Sequence, residues 1–319
     1  MVSPRLEPLQ SFAHEAMGTI FEVVIAGPED KYAGQASMAV FREVDRLERL
    51  FSRFNPCSEI GQINRLQPGG SLRIGLEVYE CLKTAEQVRL DTAGAFDVNF
   101  KSRLRIRYPE GRERVRPDGQ AGNPCYELSS GPDGFSLRLP ETAREYHAMS
   151  LDLDLGGIGK GYALDRAAAV LSDWNVDRAL VHSGTSTAVA IGSAPGLKER
   201  EEGWPVGVSG KWSAAGVPGR VLLKSRSLSG SGTEVKGQHI FDPRTGREAQ
   251  SHLAAWVSHP SAAVADALST AFMVMGPEEV EAYCGRHPEV WALVITTKGE
   301  PGLFNGHILV PPSSRPPVS

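Results

Sequence analysis

Asp154-Leu155-Gly156-Gly157-Ile158-Gly159-Lys160-Gly161-Tyr162 sits where one kind of chain pattern gives way to another. Ala148 to Leu155 reads as a strand, the glycines at 156–161 as a turn, and about Tyr162 to Trp174 as a helix. Upstream, residues 12–25 are β-rich and read as a strand ending at Ala26-Gly27-Pro28. Val40, Val44, Leu47 and Phe51 then recur at helical spacing, with Met38, Phe41 and Leu50 beside them, and a second amphipathic helix follows around Leu76, Val78, Leu82, Ala85 and Val88. Downstream come β-rich runs at 178–192, 204–210, 219–228 and 237–241, helices at Ala262 to Met275 and Glu278 to Arg286, and a closing strand at Val290 to Thr296. Helices interrupt groups of strands instead of alternating strictly with them, which predicts an α+β fold over a doubly wound one.

The 319 residues allow two domains or one large one, with a sizeable buried core. We read residues 1–11 as an N-terminal extension, 12–310 as a single domain and 311–319 as a loose Pro/Ser-rich tail. Residues 101–148 read as a loop-rich excursion whose arginines, from Arg103 to Arg116, form a solvated face. A net charge of −4 supplies no field to draw in nucleic acid or an anionic membrane. No run approaches the roughly 18 apolar residues of a membrane span, and the N-terminus lacks the apolar core of a secretion signal, so a cytoplasmic location is expected. Cys57, Cys81, Cys125 and Cys284 lie far apart without C-x-x-C spacing, which argues against a zinc site or a disulfide framework.

Three clusters can carry chemistry. The glycine cluster permits close backbone approach, places N–H groups before a helix and adds the Lys160 cation, a combination suited to a phosphorylated ligand. It matches neither the Walker A motif nor the dinucleotide fingerprint, and a purely structural turn fits it equally well. Asp266 and Thr270 stand four apart on one helical face, so a carboxylate and a hydroxyl are presented to one point. Two oxygen donors suit Mg²⁺ if a diphosphate completes the shell; the alternative is a capping Asp and a packed Thr. The third cluster, Gln238-His239-Ile240-Phe241-Asp242-Pro243-Arg244-Thr245-Gly246, describes a strand ending in a tight turn. His239 would project away from Ile240; in a cleft it can take a hydroxyl proton near neutral pH, and elsewhere it is a structural histidine.

In this order, with Ala16-Met17-Gly18-Thr19 near the start and Gly94-Ala95-Phe96-Asp97 between, these clusters resemble the ApbE family of FAD:protein FMN transferases over about residues 12–300. The most specific strings are those at 154–165, 239–246 and 266–271. The resemblance implies an α+β, T-fold-like arrangement of mixed or antiparallel sheets packed with helices, with a nucleotide cleft between the halves. It implies Mg²⁺ dependence, FAD as donor, and transfer of FMN to a Thr or Ser hydroxyl of an acceptor flavoprotein, such as a redox-complex subunit, with release of AMP. It makes Asp266, Thr270 and the Gly157 carbonyl Mg²⁺ ligands, and Met17, Phe54, Ala95, Phe96, Asp97, Asp154, Lys160 and Phe241 flavin-nucleotide contacts, with His239 as the base. Many relatives are exported or membrane-anchored, which is the alternative to a cytoplasmic location. Two segments depart from the family pattern: His182-Ser183-Gly184-Thr185-Ser186 replaces Asn-x-Gly-Gly-Asp, and Ser229-Gly230-Ser231-Gly232 replaces Ser-Gly-Asp-Tyr. The rival readings are an FAD-binding carrier with little turnover, a hydrolase splitting FAD into FMN and AMP, and a structural relative without nucleotide affinity.

Overall fold

The computed structural model describes residues 8–27, 29–104, 125–141, 151–196, 202–208, 219–232 and 240–306. The first apolar run is two strands, β1 (Leu9–Ala16) and β2 (Thr19–Ala26), and not one. The turn between them puts Met17 at φ 51°, a conformation that costs a residue with a Cβ about 1 kcal/mol. The Met17 N–H donates to Glu48 Oε1 at 2.8 Å, which anchors the turn to α1 (Asp30–Phe51). On α1, Ala33, Ala36, Val40, Val44, Leu47 and Phe51 are buried at steps of three and four, whereas Met38 is exposed. Burial of Val40, Val44 and Leu47 contributes about 2 kcal/mol each.

Next come α2 (Glu59–Ile63), β3 (Ser71–Ile74), α3 (Leu76–Asp91) and α4 (Phe100–Leu104). The stretch read as a loop-rich excursion contains a hairpin, β4 (Glu127–Gly131) and β5 (Gly134–Arg138), which joins β3 in a small antiparallel sheet ordered β3-β5-β4. Residues 105–124 and 142–148 of that excursion lie outside the described residues.

Leu151 to Leu155 does not form a strand. Leu151, Leu153 and Leu155 are buried at alternate positions, as a strand would have them, yet the backbone partners are not those of a ladder. The Asp152 N–H donates to Asn99 Oδ1 at 3.0 Å, the Leu153 N–H to Asn64 Oδ1 at 2.7 Å, and the Asp154 N–H to the Val98 carbonyl at 2.8 Å. Asn64 returns a bond from Nδ2 to the Leu153 carbonyl at 3.1 Å. Two side-chain amides thus satisfy the backbone that a neighbouring strand would otherwise satisfy.

Helix α5 (Gly159–Asp173) leads into the hairpin β6 (Ala179–Ser183) and β7 (Thr187–Ile191), then β8 (Trp204–Gly207), β9 (Arg220–Leu223) and β10 (Ser227–Gly232). Residues 240 and 241 carry no strand; Phe241 makes one bridge, to Glu248, and Asp242 to Gly246 form the tight turn that the sequence predicts. The chain continues as β11 (His252–His259), α6 (Ala262–Val274), α7 (Pro277–Arg286), β12 (Trp291–Thr296) and β13 (Pro301–Phe304). β11 escapes sequence reading because it is covered on both faces, so the alternation that betrays a half-buried strand is missing. β12 is not the closing strand, since β13 pairs beyond it.

Eight strands make one antiparallel sheet in the order β1-β2-β6-β7-β10-β11-β12-β13. Phe21, Val23, Ile25, Val181, Val189 and Val257 face a core shared with α1, α3, α5 and α6. On the other face, the β8–β9 hairpin lays Trp204, Val221 and Leu223 over Leu228, Ala254, Leu293 and Ile295. The architecture is α+β. No helix among the described residues is long and apolar enough to cross a membrane.

Two histidines of β11 make stability depend on pH. His252 is buried, with Nδ1 2.6 Å from the Phe272 carbonyl, and the Ser261 N–H donates to His259 Nδ1 at 3.0 Å. Burial holds both below the ordinary value of 6.5. The unfolded chain therefore takes up protons that the folded chain refuses, and the stability present above about pH 6.5 is lost as the pH falls through that value. The urea midpoint should decline between about pH 7.5 and 5.5; a flat profile would contradict the burial of these rings.

Candidate functional site

Helices α5 and α6 meet at their first turns and cap each other. The N–H of Gly161, in the first turn of α5, donates to Asp266 Oδ2 of α6 at 3.1 Å. In return Asp165 of α5 accepts the N–H groups of Ala262 and Ala263 at 2.7 and 3.0 Å and the Ser261 hydroxyl at 2.7 Å. Burial raises the Asp165 pKa even against these three bonds. Each carboxylate satisfies helix-end amides that have no partner within their own helix. Close approach demands glycine at 161, where a Cβ would lie 2.2 Å from the Ala262 carbonyl oxygen.

Asp266 is 4% exposed, and its other oxygen, Oδ1, faces hydroxyls: Ser229 Oγ at 3.3 Å and Thr187 Oγ1 at 3.5 Å. Thr187 and Ser229 are 2.9 Å apart, and Ser269 continues the hydroxyl chain to Ser231 at 2.9 Å. Lys160 Nζ lies 3.8 Å from Asp266 Oδ2 and donates to the Gly156 carbonyl at 2.9 Å. Gly157 is pressed against the next turn of α6, since a Cβ there would be 3.2 Å from Thr270 Oγ1 and 3.3 Å from the Phe96 ring.

These groups line a cleft of about 710 Å³. From the glycine turn and α5 come Asp154, Gly156, Gly157 and Lys160; from α6, Asp266 and Thr270; from the loop after α3, Ala95, Phe96 and Asp97. Phe241 and Trp256 add flat apolar surface. The volume lies in the range of small-molecule and cofactor sites, and cations beside aromatic walls suit a ligand with an anionic linker and a planar ring. Asp154 is held below the ordinary carboxylate range: burial works the other way, but Lys101 and the Gly156 N–H bond its two oxygens and Arg53 stands nearby.

Of the residues singled out in the sequence, Ala95, Phe96, Asp97, Asp154, Gly157, Lys160, Phe241, Asp266 and Thr270 come together in this one cleft. Met17, in the β1–β2 turn, and Phe54 are not among its lining residues; Phe54 is 83% exposed, with the Arg53 guanidinium 4.7 Å from its ring centre. His239 lies outside the described residues, next to the lining residues Ile240 and Phe241. The two departing segments supply wall: Thr185 and Ser186 from one, Gly230, Ser231 and Gly232 from the other. Sequence reading missed Lys101 and Trp256, which belong to elements it did not resolve, and gave Asp165 no role although the residue closes the 154–165 string.

The donor set that Asp266, Thr270 and the Gly157 backbone present is all oxygen. Among the described residues no three His, Cys, Asp or Glu side chains gather as a metal cage. One carboxylate with a hydroxyl and a carbonyl is what Mg²⁺ accepts when substrate phosphates and water fill the remaining positions.

The ApbE family model matches residues 17–294. The FAD:protein FMN transferase of Treponema pallidum (strain Nichols) is 30% identical over 305 residues, covering 89% of this chain and 84% of the relative. That of Escherichia coli (strain K12) is 22% identical over 300 residues, covering 90% and 84%. Among solved structures, the apo flavinyl transferase ApbE of Pseudomonas stutzeri superposes with a TM-score of 0.73 at 24% identity over 96% of this chain and 98% of that one. The ApbE protein of Thermotoga maritima gives 0.71 at 22% identity over 93% and 97%. At those identities the structures establish a shared fold, and the family match over most of the chain completes the assignment: this chain belongs to the ApbE family.

Proposed function

We propose that this protein transfers the FMN half of FAD to a Ser or Thr hydroxyl of an acceptor protein, with Mg²⁺, releasing AMP. The observation that carries the reading is the meeting of Asp266, Thr270, Gly157 and Lys160 in one cleft with aromatic walls, in a chain of the ApbE family. The relatives named above as FAD:protein FMN transferases supply the donor and the transferred group.

In the transfer, the acceptor oxygen forms a bond to the FMN-side phosphorus, the bond from that phosphorus to the bridging oxygen breaks, and AMP leaves with that oxygen. The acceptor proton passes to a base, the role given to His239. Asp266, Thr270 and the Gly157 carbonyl would hold Mg²⁺, which supplies charge neutralisation at the diphosphate. Lys160 adds a fixed cation on the same side, and the glycine turn lets the diphosphate approach the backbone. Phe96, Phe241 and Trp256 give the planar rings an apolar wall that also excludes water from the diphosphate.

The test is incubation with FAD, Mg²⁺ and Ser- or Thr-bearing acceptors, followed by denaturation. Flavin fluorescence that stays with the acceptor is expected. No label on any acceptor that a proven family member labels would refute the transferase reading, and AMP release without labelled protein would select hydrolysis instead.

A further inference from the structure

We propose that Lys101 is a second phosphate-binding residue of this cleft, held ready by Asp154 and handed to the diphosphate when a dinucleotide enters. The inference deepens the flavin-dinucleotide reading and rests on it.

Lys101 lies on α4 and lines the cleft, and its Nζ is 2.5 Å from Asp154 Oδ2. The other oxygen of Asp154 accepts the Gly156 N–H at 3.0 Å, and the Gly156 carbonyl accepts Lys160 Nζ at 2.9 Å. Both ammonium groups are therefore tied to one short piece of backbone, the glycine turn against which a phosphorylated ligand would lie. Lys160 has Asp266 as a further acidic neighbour; among the described residues the ion-pair partner of Lys101 is Asp154, with the Phe100 ring centre 5.5 Å from its Nζ.

Asp154 does not depend on Lys101 alone. Arg53 Nε stands 3.6 Å from the same Oδ2, and Arg53 also reaches Asp152 at 3.5 Å. When Lys101 swings to a phosphate oxygen, Arg53 remains to balance the carboxylate, so the exchange leaves no charge without a partner. A lysine, with a compact charge on a four-carbon stem, suits that movement better than the fork of an arginine. The side chains of Lys101, Arg53 and Asp154 are each about one quarter exposed, with fractions of 26%, 26% and 24%, so the ammonium can turn without unpacking the core.

FAD binding, read by flavin fluorescence quenching without Mg²⁺ or acceptor, tests this at low and high NaCl. Lys101→Ala should raise Kd about tenfold at low salt, the worth of one charge-assisted hydrogen bond, and flatten the salt dependence. Lys101→Arg should restore the salt dependence and bring Kd within about threefold of wild type, since it returns the charge. Unchanged affinity in Lys101→Ala overturns this inference and leaves the transferase reading standing. So does a loss with unaltered salt dependence that Lys101→Arg shares, because that pattern marks a structural role. A wild-type protein that binds no FAD with or without added Mg²⁺ overturns both readings.

Discussion

Asp266→Asn should cost flavin transfer at least about a thousandfold while leaving the fold nearly intact. The two effects separate because of what surrounds the carboxylate. Oδ1 faces the hydroxyls of Thr187 and Ser229, which can reverse their protons and accept from an amide nitrogen. Oδ2 faces the Gly161 N–H, which the amide oxygen can still accept. An asparagine turned so that its nitrogen meets the hydroxyls is therefore satisfied on both sides, and the urea midpoint should move by the equivalent of about 1 kcal/mol. What disappears is the negative charge in the cleft, one helical turn before Thr270 and 3.8 Å from Lys160 Nζ. Rate measurements under saturating FAD and Mg²⁺, paired with urea unfolding, check both halves; transfer retained within tenfold would remove Asp266 from the proposed chemistry.

Gly161→Ala should act in the opposite way, through structure first. The added Cβ would lie 2.2 Å from the Ala262 carbonyl oxygen, 2.6 Å from its carbon and 2.8 Å from Ala263 Cα. All three are backbone atoms at the start of a buried helix, so no rotamer change relieves the overlap. The helices must separate, at an expected cost of about 3 kcal/mol. Separation also draws the Gly161 N–H away from Asp266, so the surviving folded protein should need more Mg²⁺ for half-maximal transfer. Thermal or urea unfolding and a Mg²⁺ titration read the two consequences. A stability equal to wild type would mean that the α5–α6 contact is looser than these distances imply.

Much of this site could be read in advance because its residues lie in short contiguous strings. The glycine cluster, the Asp266–Thr270 pair and the Gly94 to Asp97 loop each carry several lining residues within a few positions, and helical spacing alone puts Asp266 and Thr270 on one face. What could not be read has physical causes. Trp256 sits on a strand covered on both faces, where no alternation exists to find. The β1–β2 turn uses Met17-Gly18 instead of the Asn-Gly or Asp-Gly pair that marks such turns, so two strands read as one. Leu151 to Leu155 has the side-chain alternation of a strand, but its hydrogen bonds go to the side chains of Asn64 and Asn99 and to the Val98 carbonyl, far away in the chain. Lys101 belongs to a five-residue helix too short for a periodic signal, and its importance comes from a carboxylate 53 positions away.

The crossed caps of Asp165 and Asp266 make the first turns of α5 and α6 a single mechanical part. A pull on Asp266 is felt at once by the turn that carries Lys160, so the cation end and the phosphate end move in step or not at all. The wall built from Thr185, Ser186 and residues 230–232 comes instead from strand ends and a tight turn, and it meets that clamp through hydroxyls: Ser231 at Ser269 of α6, and Thr187 and Ser229 at Asp266. Changes at Thr185, Gly230 or Gly232 can therefore reshape that wall while the grip keeps its geometry, whereas changes at Thr187, Ser229 or Ser231 reach the clamp itself.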